Sequence, residues 1–176
     1  FEKMSVGYPF QAYDWLFNWF RIVGKPLYNT KPCVVILSDR NNTQAIFPFG
    51  LQERNNIRII GWLGGRQTDY MCPIFRDNWQ TTMNEFSDLW DRIVQVLPEH
   101  DVIHFIKQPE KIEEIYNPFI LYLPVRRVNS AHQAFLYGSW KEFKKKELKN
   151  KLLADLRRCR RRLSEKGRLR FIIADE

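Results

Sequence analysis

Cysteine is scarce in this chain and suits neither of its structural uses. Cys33, Cys72 and Cys159 are odd in number and widely spaced, with no C-x-x-C pair and no histidine at ligand spacing. That argues against a disulfide framework and against a metal site. Long apolar runs are missing as well. No stretch reaches the length that spans a bilayer and no signal peptide is visible, so no membrane span and a cytoplasmic location are expected. No Gly-Lys-Ser/Thr ending marks a P-loop, and neither an RRM aromatic motif nor a GXXG loop marks an RNA-binding module. No internal repeat recurs. The first residue is Phe1 rather than Met, and the last residues, RLRFIIADE, read as a strand, which points to a piece of a longer protein.

What is present is aromatic and, at one end, basic. The 176 residues are 44% hydrophobic and include 13 Phe, 7 Tyr and 6 Trp, enough large side chains to build a core and to argue against disorder. The net charge of +8 is uneven. Residues 1–138 carry 14 Lys+Arg against 14 Asp+Glu, whereas residues 139–176 carry 14 against 6, so the whole excess belongs to the second segment.

The pattern of apolar residues sets an expected order of elements. Residues 10–23 read as a helix, stopped by Gly24 with Pro26 beyond it. Residues 33–37, 44–51 and 57–63 read as three successive antiparallel strands. A helix is expected from Asp77-Asn78-Trp79, carried by Trp79, Met83, Phe86, Trp90, Ile93 and Leu97 at alternating spacings of four and three. Then follow a short strand over 101–107, a short helix over 109–116, and strands over 119–125 and 132–137. Ser139 and Glu142 form a capping box, from which one basic helix is expected to run to Lys166 before Gly167. Leu169–Ile173 is a last strand with a free edge, open to the rest of the chain or to a second copy. The fold class is α+β rather than a regular βαβ alternation, with a first domain over 1–138 and the basic helix with the start of another domain over 139–176.

No catalytic constellation stands out. His100, His104 and His132 lack a Ser/Cys and acid arrangement, and His104 in DVIHFIK alternates with apolar residues as a strand face does. Cys72, beside Pro73, has no recognisable base. The lysines and arginines of 139–176, Lys144 to Lys146 and Arg157 to Arg162 among them, admit three readings: nucleic-acid phosphates, a solvated helix face, or contact with another domain or an anionic substrate.

The segments PFQAYDWLFNWF, IFPFGLQ, GWLGG followed by TDYMCPIF, and LLADLRRCRRRL, taken in order, resemble the N-terminal half of CelD-like acetyltransferases of the GNAT family, associated with cellulose biosynthesis and similar to the tandem FemAB group. The resemblance spans nearly the whole chain. It implies a GNAT-like, mixed and mainly antiparallel sheet flanked by helices and opening after its fourth strand, acetyl-CoA as co-substrate, a second GNAT-like domain or second copy as partner, and a small-molecule or saccharide acceptor. By that order GWLGGRQTDYMCP holds the place of the coenzyme A pyrophosphate loop, which makes Gly64, Gly65 and Arg66 the candidate cofactor-binding residues. Asp69, Tyr70, Arg157 and Arg161 are the candidate substrate-cleft residues.

The residues of that loop also argue against the role. The next helix is expected more than ten residues after Gly65, Asp69 and Asp77 would repel a pyrophosphate, and the family's Arg/Gln-x-x-Gly-x-Gly/Ala signature is absent. A tight Gly64-Gly65 turn, with Tyr70 packed on the sheet and Asp69 capping a backbone N–H, accounts for the same residues. The expected function is therefore the scaffold or acceptor-binding half of an acetyltransferase, inactive alone. A basic nucleic-acid-binding module, or an interaction scaffold presenting Trp15 and Trp19, is the alternative.

Overall fold

The computed structural model describes residues 1–40, 42–127, 130, 135–136, 138–170 and 172. The chain divides into two compact units, Phe1–Arg126 and Arg127–Glu176, against an expected division after residue 138. Of the strand expected over 132–137 only residues 135 and 136 are described, and of that expected over 169–173 residues 169, 170 and 172 are; none of these described residues is in a strand.

The first unit is α+β, with a mixed and mostly antiparallel sheet. Its strands are β1 (Ser5–Val6), β2 (Lys31–Asp39), β3 (Asn42–Arg54), β4 (Ile57–Trp62), β5 (Ile74–Arg76) and β6 (Val102–Ile103). The three expected strands are β2, β3 and β4, antiparallel as read. The β3–β4 turn has Asn55 and Asn56 at φ 52° and 63°. Two left-handed residues in a two-residue loop make the turn whose twist matches a hairpin.

Thirteen-residue β3 organises the sheet. β2 pairs along one edge, and β4 and β5 share the other: Phe49 faces Trp62 of β4, and Ile46 faces Ile74 of β5. Pro48 lies between them. It has no N–H to offer an opposing strand, and its carbonyl accepts from Leu63 N–H at 2.8 Å, where β4 ends. Residues 64–73 are thus an excursion between two collinear strand pieces.

Alternation along β3 sends Ala45, Phe47 and Phe49 to one face, where they meet Phe75, Trp62, Ile60 and Phe86 in the main core. The helix covering this core, α3, spans Met83–Val96 and begins later than expected, because Thr82 and Glu85 form the capping box. Trp79 precedes it and stacks on Phe75, centroids 4.9 Å apart.

Four further expectations are corrected. The first helix comes in pieces, α1 (Tyr13–Trp19), a π turn over Phe20–Gly24 and α2 (Lys25–Tyr28), and it passes through Gly24 and Pro26 to end at left-handed Asn29. A π turn widens the helix just where the ring of Pro26 would strike the preceding turn. Residues 109–116 form a hairpin, β7 (Lys111–Ile112) with β8 (Ile115–Tyr116), turned by Glu113 at φ 52°. Residues 119–125 are no strand: α4 (Pro118–Leu121) begins there because buried Asn117 accepts from Phe119 N–H at 3.1 Å and Pro118 fills the first helical position. Of residues 101–107, only β6 pairs, parallel to β4.

In the second unit the basic helix is broken into α5 (Trp140–Glu147) and α6 (Asn150–Lys166). Ser139 caps α5 as expected, accepting from Glu142 N–H. Leu148 and Lys149 between the helices are extended. Like charges four apart, Lys141/Lys145 and Lys145/Lys149, weaken a continuous helix at that point.

Candidate functional site: the 64–73 excursion and the basic helices

The excursion is held from three sides. Gly64 and Gly65 have φ of 106° and 55°, backbone that glycine adopts without strain. A Cβ on Gly64 would run into Thr68 Oγ1, and one on Gly65 would lie 2.7 Å from Trp19 Cζ2. On the other rim of the same indole, a Cβ on Gly24 would lie 2.6 Å from Trp19 Cζ3. Trp19 is therefore seated between two glycines, with its N–H donating to Gln67 Oε1 at 3.2 Å. Leu16 and Leu63 complete this second, smaller core.

Two further indole and amide side chains tie the loop to the N-terminal segment. Trp15 N–H donates to Oγ1 of fully buried Thr68 at 3.1 Å. Buried Gln11 donates through Nε2 to the Tyr70 carbonyl at 2.7 Å, while its Oε1 accepts from Tyr8 N–H at 3.1 Å and from the Cys72 thiol at 3.3 Å. Tyr70 stacks on Tyr8, centroids 4.6 Å apart.

Lys107 closes the third side. Its ammonium donates to the carbonyls of Arg66 at 3.0 Å and Thr68 at 2.8 Å and pairs with Asp69 at 3.5 Å, while its own carbonyl accepts from Met71 N–H. This matters for the sheet. β4 and β6 are parallel neighbours joined through α3, but they pair only at Ile59–Val102 and Ile60–Ile103, with His104 N–H still reaching the Ile60 carbonyl. Beyond that point Lys107 turns with φ 54° and spans to the excursion.

The candidate cofactor residues thus lie in one loop with their glycine faces filled by Trp19 and Thr68, and the exposed Arg66 side chain beside them. Gly65–Gln67 form a single 3-10 turn, and the next α-helix, α3, does not begin until Met83. Of the substrate-cleft candidates, Asp69 and half-buried Tyr70 belong to this loop, and Arg157 and Arg161 belong to α6 in the second unit. Sequence reasoning missed Lys107, Gln11 and Thr68. The one available signal was Pro48, a proline inside a strand run, which marks where the opposing strand departs.

Burial pushes the Cys72 thiol up to about 12, so it is a neutral thiol near neutral pH and not a nucleophile. Cys33 is also raised by burial. Among the described residues no group of three His, Cys, Asp or Glu side chains is placed to hold a metal ion.

In the second unit α5 and α6 flank an open cleft of about 450 Å³, lined by Trp140, Lys141, Lys144, Lys145, Arg157 and Arg160 together with Leu148, Leu153 and Leu156. Lys144 Nζ lies 5.6 Å from the Trp140 ring centroid. Arg157 faces the cleft, while Arg161 pairs with Glu165 at 3.7 Å. Among the described residues no helix is long and apolar enough to cross a membrane. Comparison with known proteins found no matching family model, no matching curated protein and no matching solved structure.

Proposed function

We propose that this chain is the scaffold half of a GNAT-like acetyltransferase, in which a second GNAT-like domain, of a longer chain or of a second copy, supplies the acetyl-CoA site. The observation that carries the reading is the parallel β4–β6 pair inside an otherwise antiparallel sheet, joined through α3 and parting after two residue pairs. In a GNAT sheet the acyl donor enters where such strands part. Here Lys107 and the 64–73 excursion fill the space beyond, which favours a supporting role over donor binding. The neutral Cys72 thiol fits a half without its own chemistry. An amine, a sugar hydroxyl or a polysaccharide intermediate are acceptors compatible with the reading, and cellulose biosynthesis enters through the resemblance alone.

The test is isothermal titration with acetyl-CoA, run on this chain and on the chain extended by its flanking coding sequence. No saturable heat with the first, and saturable binding with acceptor-dependent release of the coenzyme A thiol with the second, are the expected results. Saturable binding to this chain alone would put a donor site in this half. No binding to either would end the acetyltransferase reading.

A second reading rests on the α5–α6 cleft, where an exposed indole stands among five cations. A single-stranded nucleic acid bound there would stack a base on Trp140 and lose affinity steeply with added salt.

A further inference from the structure

Nine-residue β2 pairs with β3 along one edge and with no described strand along the other. Which backbone groups it offers there follows from Pro48. Val34 stands opposite Pro48, whose carbonyl is bonded on the β4 side, so the two residues exchange no hydrogen bonds. In an antiparallel ladder such a residue turns its own N–H and C=O away from its partner. Val34 therefore presents both groups to the free edge. By alternation Ile36 does the same, and Pro32 presents a carbonyl only.

The side chains on this edge are apolar and open. Val34 and Ile36 are 48% and 59% exposed, and they share a sheet face with Pro48, Ile46 and Ile74 through the register pairs Val34–Pro48, Ile36–Ile46 and Ile46–Ile74. The strand carries Lys31 at one end and Asp39 at the other. A long apolar edge with unpaired backbone groups is a template for another strand.

We propose that β2 is the docking edge for a second copy of this chain, the two β2 strands pairing antiparallel about a two-fold axis through Val35. In that register Val34 faces the partner's Ile36, and each such pair exchanges both its N–H···O=C bonds. Lys31 comes alongside the partner's Asp39, so the ends attract. A parallel arrangement would place lysine by lysine and aspartate by aspartate, which favours the two-fold. Pro32 limits the pairing, because it can accept from the partner but not donate. The exposed Val34 and Ile36 of both copies then extend the apolar stripe that already runs through Ile46 to Ile74. Strand pairing alone buries less than a standard interface, so the dimer is expected to be concentration-dependent. The proposal is independent of the acetyltransferase reading.

Sedimentation velocity over a micromolar to sub-millimolar series, with hydrogen exchange at the Val34 and Ile36 amides, tests it. The expected result is a shift from 21.3 kDa to twice that mass, with both amides slowing as concentration rises. Val34→Pro removes an outward N–H that β3 does not use, and it should stay monomeric with an unchanged far-UV spectrum. Lys31→Glu should weaken the dimer several-fold, and adding Asp39→Lys should restore it, an arm that holds even if the proline variant fails to fold. A monomer throughout, a folded Val34→Pro variant that dimerises like the parent, or amides already slow at the lowest concentration would overturn the proposal, the last by showing that another segment of the same chain covers the edge.

Discussion

Gly24 lies in right-handed helical backbone, φ −59° and ψ −53°, where glycine has no conformational role. Replacing glycine by alanine inside a helix ordinarily stabilises by about 0.8–1.0 kcal/mol. Here the new methyl would lie 2.6 Å from Trp19 Cζ3, against a ring fixed on its other rim by Gly65. Overpacking of that kind costs about 1–3 kcal/mol. Gly24→Ala is therefore expected to lower the thermal midpoint, and Gly24→Ala combined with Trp19→Leu to recover part of the loss, as read by circular dichroism melting. A rise in the midpoint for the single variant would mean that the indole moves aside freely.

At the scale of elements, the short β4–β6 pairing is clamped where it starts. Asp101 accepts from Arg58 backbone N–H at 2.7 Å and from the Arg58 guanidinium at 2.9 and 3.2 Å, Asp101 N–H donates to the Arg58 carbonyl at 2.9 Å, and Glu99 pairs with Arg58 at 2.7 Å. Hydrogen bonds from the Arg58 side chain, then from its backbone, bring the Asp101 carboxyl from 3.8 down to about 2, and the same guanidinium lowers Glu99. A carboxylate with a depressed folded pKa contributes stability that is full above its unfolded value and fades as pH falls through the folded one. For Asp101 that window runs from 3.8 down to about 2. Urea midpoints measured across it should fall more steeply for the parent than for Asp101→Asn, and identical slopes would remove the clamp from the account.

For the whole molecule, the sheet, both cores and the 64–73 excursion all lie in Phe1–Arg126. A chain ending at Arg126 should therefore fold cooperatively and keep the near-UV aromatic signature of Phe49, Trp62 and Phe105, whose ring centroids lie within 5.3 Å of one another. Loss of cooperative unfolding in that chain would show that the basic segment supports the sheet. The excess positive charge leaves with the truncation, so any nucleic-acid affinity should leave with it.

What the sequence determined by itself is local. Period-two alternation in IFPFGLQ and its neighbours set three antiparallel strands, the four-and-three spacing of Phe86, Trp90 and Ile93 set α3, and Ser139 with Glu142 set the start of α5. The α+β class followed from their order. Tertiary structure decided the rest, because contacts between distant residues overrode local signals. Gly24 looked like a helix stop and serves as a seat for Trp19, five residues back; Gly65, in the loop that holds the cofactor position in the expected order, seats the same ring from forty-six residues away in sequence. Lys107 had no motif to announce it, since the three loop partners of its ammonium are brought to it only when β6 aligns with β4. Which of its amides β2 turns toward the edge that has no described partner strand was likewise fixed by one proline on the strand beside it.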